Sequence, residues 1–158
     1  MNIQILLADD HQIMRNGLCA LIDQRDDMEV VGEAADGRTA LRLVQILEPH
    51  VVIMDIGMPD LNGIEATCQI RAKYPQVKVI ALSMHSDKRF VAGMLHAGAV
   101  GYLLKDCAFE ELARAVHRVM EHKTYLSPAI SGVELEEYFA TSPAKESSSS
   151  PDAPGELS

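Results

Sequence analysis

Basic residues are scarce in this chain of 158 residues: 14 Lys and Arg stand against 23 Asp and Glu, a formal net charge of -9. A phosphate backbone is bound by neutralisation with clustered Lys and Arg, so this balance argues against nucleic-acid binding by these residues themselves. Cysteine is equally sparse. Cys19, Cys68 and Cys107 are odd in number, far apart and without CxxC spacing, which fits reduced core thiols in a cytosolic protein better than a disulfide framework or a metal site. The six His are scattered, with no paired ligand spacing. No apolar run reaches the roughly 18 residues that suggest a membrane span. The N-terminus shows no basic segment followed by a long apolar stretch and a cleavage site. A cytoplasmic protein is expected.

With 47% hydrophobic and 23% charged residues, most of the chain has the composition of one globular domain. Five short aliphatic or β-branched runs, 3–8, 28–34, 50–56, 77–83 and 100–105, read as strands. Helical patterns lie between and after them, marked by Met14, Leu18, Leu21 and Ile22, then Ala40, Leu43, Val44 and Leu47, and more weakly Ile64, Thr67 and Cys68. A fourth runs from about Asp87 to Ala97, and Phe109, Leu112, Ala113, Val116 and Met120 mark the fifth. Strict alternation of strand and helix requires right-handed crossovers and a parallel sheet covered on both faces. The expected fold is therefore α/β: a doubly wound five-stranded parallel sheet in the flavodoxin-like order 2-1-3-4-5.

Such sheets bind ligands outside the carboxyl ends of their strands. Asp9 and Asp10 follow the first strand, Asp55 ends the third, Ser83 the fourth and Lys105 the fifth. Each has an ordinary reading by itself: Asp10 as a helix N-cap, Asp55 and Ser83 as turn residues, Lys105 as a solvated charge. Together they fall at one sheet edge. Two unit charges about 4 Å apart repel by roughly 4 kcal/mol at an effective dielectric near 20, so three carboxylates in one crevice call for a cation. Mg²⁺, which takes only one or two carboxylates directly, suits such a site. Carboxylates, a divalent metal, a Lys and a hydroxyl are the parts of a phosphoryl-transfer site, in which one carboxylate can itself be the nucleophile.

The segments "LLADDH", "VVIMDIGMPDLNG", "ALSMHSD" and "GYLLKD" resemble those of the receiver domains of two-component response regulators, of the NarL/FixJ subgroup, over residues 1 to about 125. The resemblance implies the CheY-like receiver fold. It implies Asp55 as phosphoacceptor, with Asp10, Asp55 and the backbone carbonyl of Gly57 on Mg²⁺ and Asp9 holding it largely through water. Lys105 and Ser83 would contact the phosphoryl group, and Tyr102 would be the aromatic that turns inward when Ser83 moves. His85 resembles a variable family position near the phosphoryl group. The implied partner is a sensor histidine kinase, the implied output altered homodimerisation or docking, and the implied activity self-phosphorylation and its reversal rather than enzyme turnover.

Regulators of this subgroup usually carry a LuxR-type helix-turn-helix domain after a linker, through which they bind DNA. In this chain residues 126–140, with Ser127 as N-cap and Pro128 at the first helical position, suggest an extra helix. Residues 141–158 are Ser- and Pro-rich and read as a linker or disordered tail. No helix-turn-helix pattern follows, so the expectation is a truncated piece of a transcription factor, with a stand-alone receiver as the alternative. A haloacid-dehalogenase-like phosphatase would need an Asp-x-Asp pair where Asp9 and Asp10 are adjacent. A flavodoxin-like FMN binder would need a Ser/Thr-rich loop in place of "DDHQIMRNG". A receiver-like module that only binds partners remains open.

Overall fold

The structure, a computed structural model, describes residues 2–84, 88–128 and 130. By its internal contacts the chain divides into a unit ending at Ser127 and a second beginning at Pro128. In the first, strands β1 (Ile3–Ala8), β2 (Met28–Ala34), β3 (Val51–Met54), β4 (Lys78–Ser83) and β5 (Gly101–Leu104) alternate with helices α1 (Gln12–Asp23), α2 (Gly37–Leu47), α3 (Gly63–Lys73), α4 (Lys88–Ala97) and α5 (Phe109–Met120). All strand pairs are parallel, in the order β2-β1-β3-β4-β5. This is the expected doubly wound receiver fold. A sixth strand, β6 (Tyr125–Leu126), extends the sheet beside β5, which the sequence reading did not anticipate because two residues carry no periodicity.

The expected helix over 126–140 and the expected tail over 141–158 lie outside the described residues, apart from Leu126, Ser127, Pro128 and Ile130. Leu126 belongs to β6, and the Ser127 N–H donates to the Tyr102 carbonyl at 3.0 Å.

The central strands β1, β3 and β4 are buried almost throughout, as a sheet covered on both faces requires. Ile5, Leu7, Ile53, Leu82 and Leu103 pack with Ile22 of α1 and with Leu112, Val116 and Val119 of α5 in one core cluster. On α3 the buried stripe runs through Gly63, Ala66, Thr67 and Ile70. Helical rotation from that stripe turns Cys68 outward, so it is exposed, while Cys19 and Cys107 are half-buried. The expectation of three core thiols is corrected accordingly. Ile13 is also exposed, at 86%, although α1 reads as apolar around it. Among the described residues no helix is long and apolar enough to cross a membrane.

Candidate phosphoacceptor site

β1 and β3 are direct neighbours, and the Asp55 N–H donates to the Ala8 carbonyl at 2.8 Å, so the ends of the two strands are tied together. This sets Asp9 and Asp10 beside Asp55. The loop after β3 returns at once to α3: Asn62 caps that helix by accepting from Glu65 N–H at 2.9 Å, as its position in "MPDLNG" suggests. Gly63 is required there for space, since a Cβ would stand 2.2 Å from the Asp55 carbonyl oxygen. Asp60 takes φ 67, a left-handed conformation, and its carboxylate pairs with Arg38 at 2.8 Å. On the other side the Lys105 N–H donates to the Ser83 carbonyl at 2.8 Å, which joins the ends of β4 and β5.

Asp9 and Asp55 are buried, at 4% and 6% exposure, whereas Asp10 is open to solvent. The Lys105 ammonium lies 2.9 Å from Asp9 Oδ2 and 3.5 Å from Asp55 Oδ2, and its side chain is as buried as theirs. Ligand atoms of Asp9, Asp10, Asp55 and His11 all fall within 4.8 Å of one another. Burial, and after it the charge of Asp9, pushes the Asp55 carboxyl above its usual range; Lys105 and a long contact from the Gly57 N–H pull the other way without compensating. Three carboxylates against one ammonium leave an excess of two negative charges when all are ionised.

A divalent cation fits this arrangement. Asp9 Oδ2 is buried without a hydrogen-bond partner among the described residues, because Lys105 approaches it at ion-pair distance but off the hydrogen-bonding direction. Hard oxygen donors with excess negative charge and one open side are the donor set that Mg²⁺ takes.

The structure brings Asp9, Asp10, Asp55 and Lys105 together, and places Ser83 buried at the end of β4. Gly57 stands exposed just past Asp55, with open space around its Cα. Tyr102 is fully buried in β5, beside Ala81 of β4. His85 lies outside the described residues. Asp10 does not cap α1; His11 holds that position without a side-chain cap. Sequence reasoning gave His11 no role at the site, yet its Nδ1 is 2.9 Å from Asp9 Oδ1 and 3.1 Å from Lys105 Nζ. Adjacency to Asp10 was the available signal.

A doubly wound parallel sheet with an acidic pocket and a lysine at its carboxyl edge is the architecture of a receiver domain. The chain belongs to the response regulator receiver domain family, which matches residues 5–117, and within it to the NarL/FixJ, LuxR-type group. It is 40% identical over 136 residues to the transcriptional regulatory protein DegU of Brevibacillus brevis, covering 86% of this chain and 58% of that protein. The chain thus spans less than two thirds of that relative's length. Among solved structures it resembles a LuxR-family two-component response regulator from Aurantimonas sp. SI85-9A1, with TM-score 0.81 and 35% identity, over 89% of this chain and 99% of that one. It also resembles the isolated receiver domain of RcsB from Salmonella enterica serovar Typhimurium in the presence of phosphomimetic BeF3-, with TM-score 0.75 and 26% identity over 82% and 96% of the two chains.

Proposed function

We propose that this chain is a phosphorylation-driven switch in which Asp55 accepts a phosphoryl group from the phosphohistidine of a sensor histidine kinase. The supporting observation is the buried Asp55 carboxylate beside Asp9, with Lys105 reaching both. In the transfer an Asp55 carboxylate oxygen bonds to phosphorus as the bond from phosphorus to the histidine nitrogen breaks, in line and with little other chemistry for the protein to perform. Asp10, Asp55 and the Gly57 carbonyl would hold Mg²⁺ directly, with Asp9 behind them; when bound, the ion neutralises charge on the transferring group.

The remaining steps belong to the chain's own residues. Lys105, released in part from Asp9 and Asp55, pairs with a phosphoryl oxygen, and the Ser83 hydroxyl donates to another. These contacts draw the end of β4 toward Asp55, and Tyr102 on the adjoining strand responds to that displacement. Moving a two-state equilibrium from 1:99 to 99:1 needs about 5.5 kcal/mol of differential interaction, within reach of a charge-assisted pair plus a hydroxyl bond. The face made by α4, β5 and α5 carries the output as homodimerisation or docking. The protein transfers phosphate onto itself and loses it by hydrolysis, without turnover of a separate substrate. DNA is reached only through a C-terminal helix-turn-helix domain outside these residues, in the cytoplasm.

Intact mass after incubation with acetyl phosphate and Mg²⁺ tests the proposal. The expected gain is one phosphoryl group, lost in Asp55→Asn and without metal. A folded protein that shows no gain and also fails to bind beryllofluoride would be an interaction module instead.

A further inference from the structure

Arg15 stands on α1 one helical turn past the acidic loop, and its guanidinium is engaged at two places. Nε donates to Glu33 Oε1 of β2 at 3.1 Å, and Nη1 donates to the main-chain carbonyl of Asp9. The Arg15 side chain is 14% exposed and that of Glu33 42%, so the pair is anchored from the inside. Its location follows from a register shift. β1 and β2 pair as Ile5↔Val30 and then Leu6↔Gly32, so Val31 is an extra residue and Glu33 falls opposite Leu7. Leu7 packs in the cluster that includes Ile22 of α1. In a parallel pair, residues in register share a face, so the bulge turns Glu33 toward α1.

The consequence concerns Asp9. Its N–H donates to the Ala34 carbonyl at 2.9 Å, its carbonyl accepts from Arg15, and its Oδ1 accepts from the His11 N–H at 2.8 Å. With those three groups held, Oδ2 is left facing the pocket without a hydrogen bond among the described residues. Arg15, Asp9 and Asp55 also border a gap too tight to admit a water, so the two carboxylates gain no hydration from beneath.

We propose that Arg15, oriented by Glu33, is a positioning residue that fixes the Asp9–His11 turn in the arrangement that takes a divalent cation. The inference rests on the receiver reading above. A lysine cannot replace it fully, because a guanidinium offers Nε and Nη to two acceptors at a fixed separation whereas an ammonium is a single point charge.

The test is calorimetric titration of Mg²⁺ into the full chain and into Arg15→Met, Arg15→Lys, Glu33→Gln and the Met/Gln double variant, with a urea midpoint for each. Residues that orient metal ligands typically change affinity by about 10- to 100-fold when lost. Arg15→Met is expected at the lower end, about 10-fold weaker, with Arg15→Lys and Glu33→Gln between it and wild type. The double variant is expected to be no weaker than Arg15→Met, because in this proposal Glu33 reaches the metal site through Arg15. Affinity within about twofold of wild type in the folded variants, with only the urea midpoint lowered, overturns the proposal in favour of simple scaffolding. Should Arg15→Met not fold, Glu33→Gln decides the matter, since it keeps the guanidinium. Wild-type protein that takes neither Mg²⁺ nor a phosphoryl group overturns the receiver reading and this inference with it.

Discussion

Asp27, just before β2, is half-exposed between Arg25 Nε at 3.0 Å and His117 Nε2 at 2.6 Å; Asp55, just past β3, is buried beside Asp9 with Lys105 Nζ at 3.5 Å. Hydrogen bonds from Arg25 foremost hold the Asp27 carboxyl down to about 2, while burial and then the charge of Asp9 push the Asp55 carboxyl up. The two lie at opposite ends of the same sheet. At the amino end the chain supplies a carboxylate with a guanidinium and an imidazole beside it, and at the carboxyl end it leaves negative charge in excess. A carboxylate left short of partners is what the proposed cation and phosphoryl site calls for.

Removing the single ammonium from the acidic end exaggerates this contrast most. Lys105→Met leaves Asp9 and Asp55 buried without their cation, and breaking a buried pair costs about 3–5 kcal/mol. The expected loss in urea unfolding without divalent metal is about 3 kcal/mol. Added Mg²⁺ should restore more stability to the variant than it adds to wild type. A loss no larger than that of an exposed pair would mean that the two ends do not differ in kind.

Asp55→Asn runs in the opposite direction. It relieves the burial of a charge and its repulsion with Asp9, so the metal-free protein should gain stability at neutral pH, on the order of 1 kcal/mol. Under the proposed function the same variant also loses the phosphoryl acceptor. A substitution that stabilises the fold while abolishing its chemistry marks a group held at the expense of stability, and a destabilised Asp55→Asn would remove that argument.

The acidic end was the more legible of the two in the sequence. Asp9, Asp10, Asp55, Ser83 and Lys105 each end or follow an apolar run, and strand ends converge by topology alone, so no side-chain geometry was needed to bring them together. The strand order was legible for the same reason. The amino-end cluster was not, because His117 lies 90 residues from Asp27 and the two, with Arg25, belong to no pattern. Arg15 and Glu33 were also missed: their pairing depends on the bulge at Val31, and a one-residue register shift leaves no trace in hydrophobic periodicity. β6 escaped because its two residues gain their structure from the edge of β5 rather than from local propensity.

The smallest effect belongs to Asp27→Asn, and its pH and salt dependence sharpen the comparison best. The folded carboxyl is lowered from 3.8 to about 2, so its contribution is complete above the unfolded value and disappears as the pH falls through about 2. Solvent reaches the pair, with side chains 37% and 41% exposed, so the loss at neutral pH should stay below about 1 kcal/mol. Stability curves of wild type and Asp27→Asn should therefore run parallel at neutral pH and converge in acid. At about 1 M salt, where the screening length is about 3 Å, the gap between them should close. The Lys105→Met gap should persist far more under the same salt, because its charges are buried and therefore much less screened. If salt closed both gaps equally, the acidic end would be as hydrated as the amino end, and its negative charge would be neutralised by solvent ions rather than held for a specific cation.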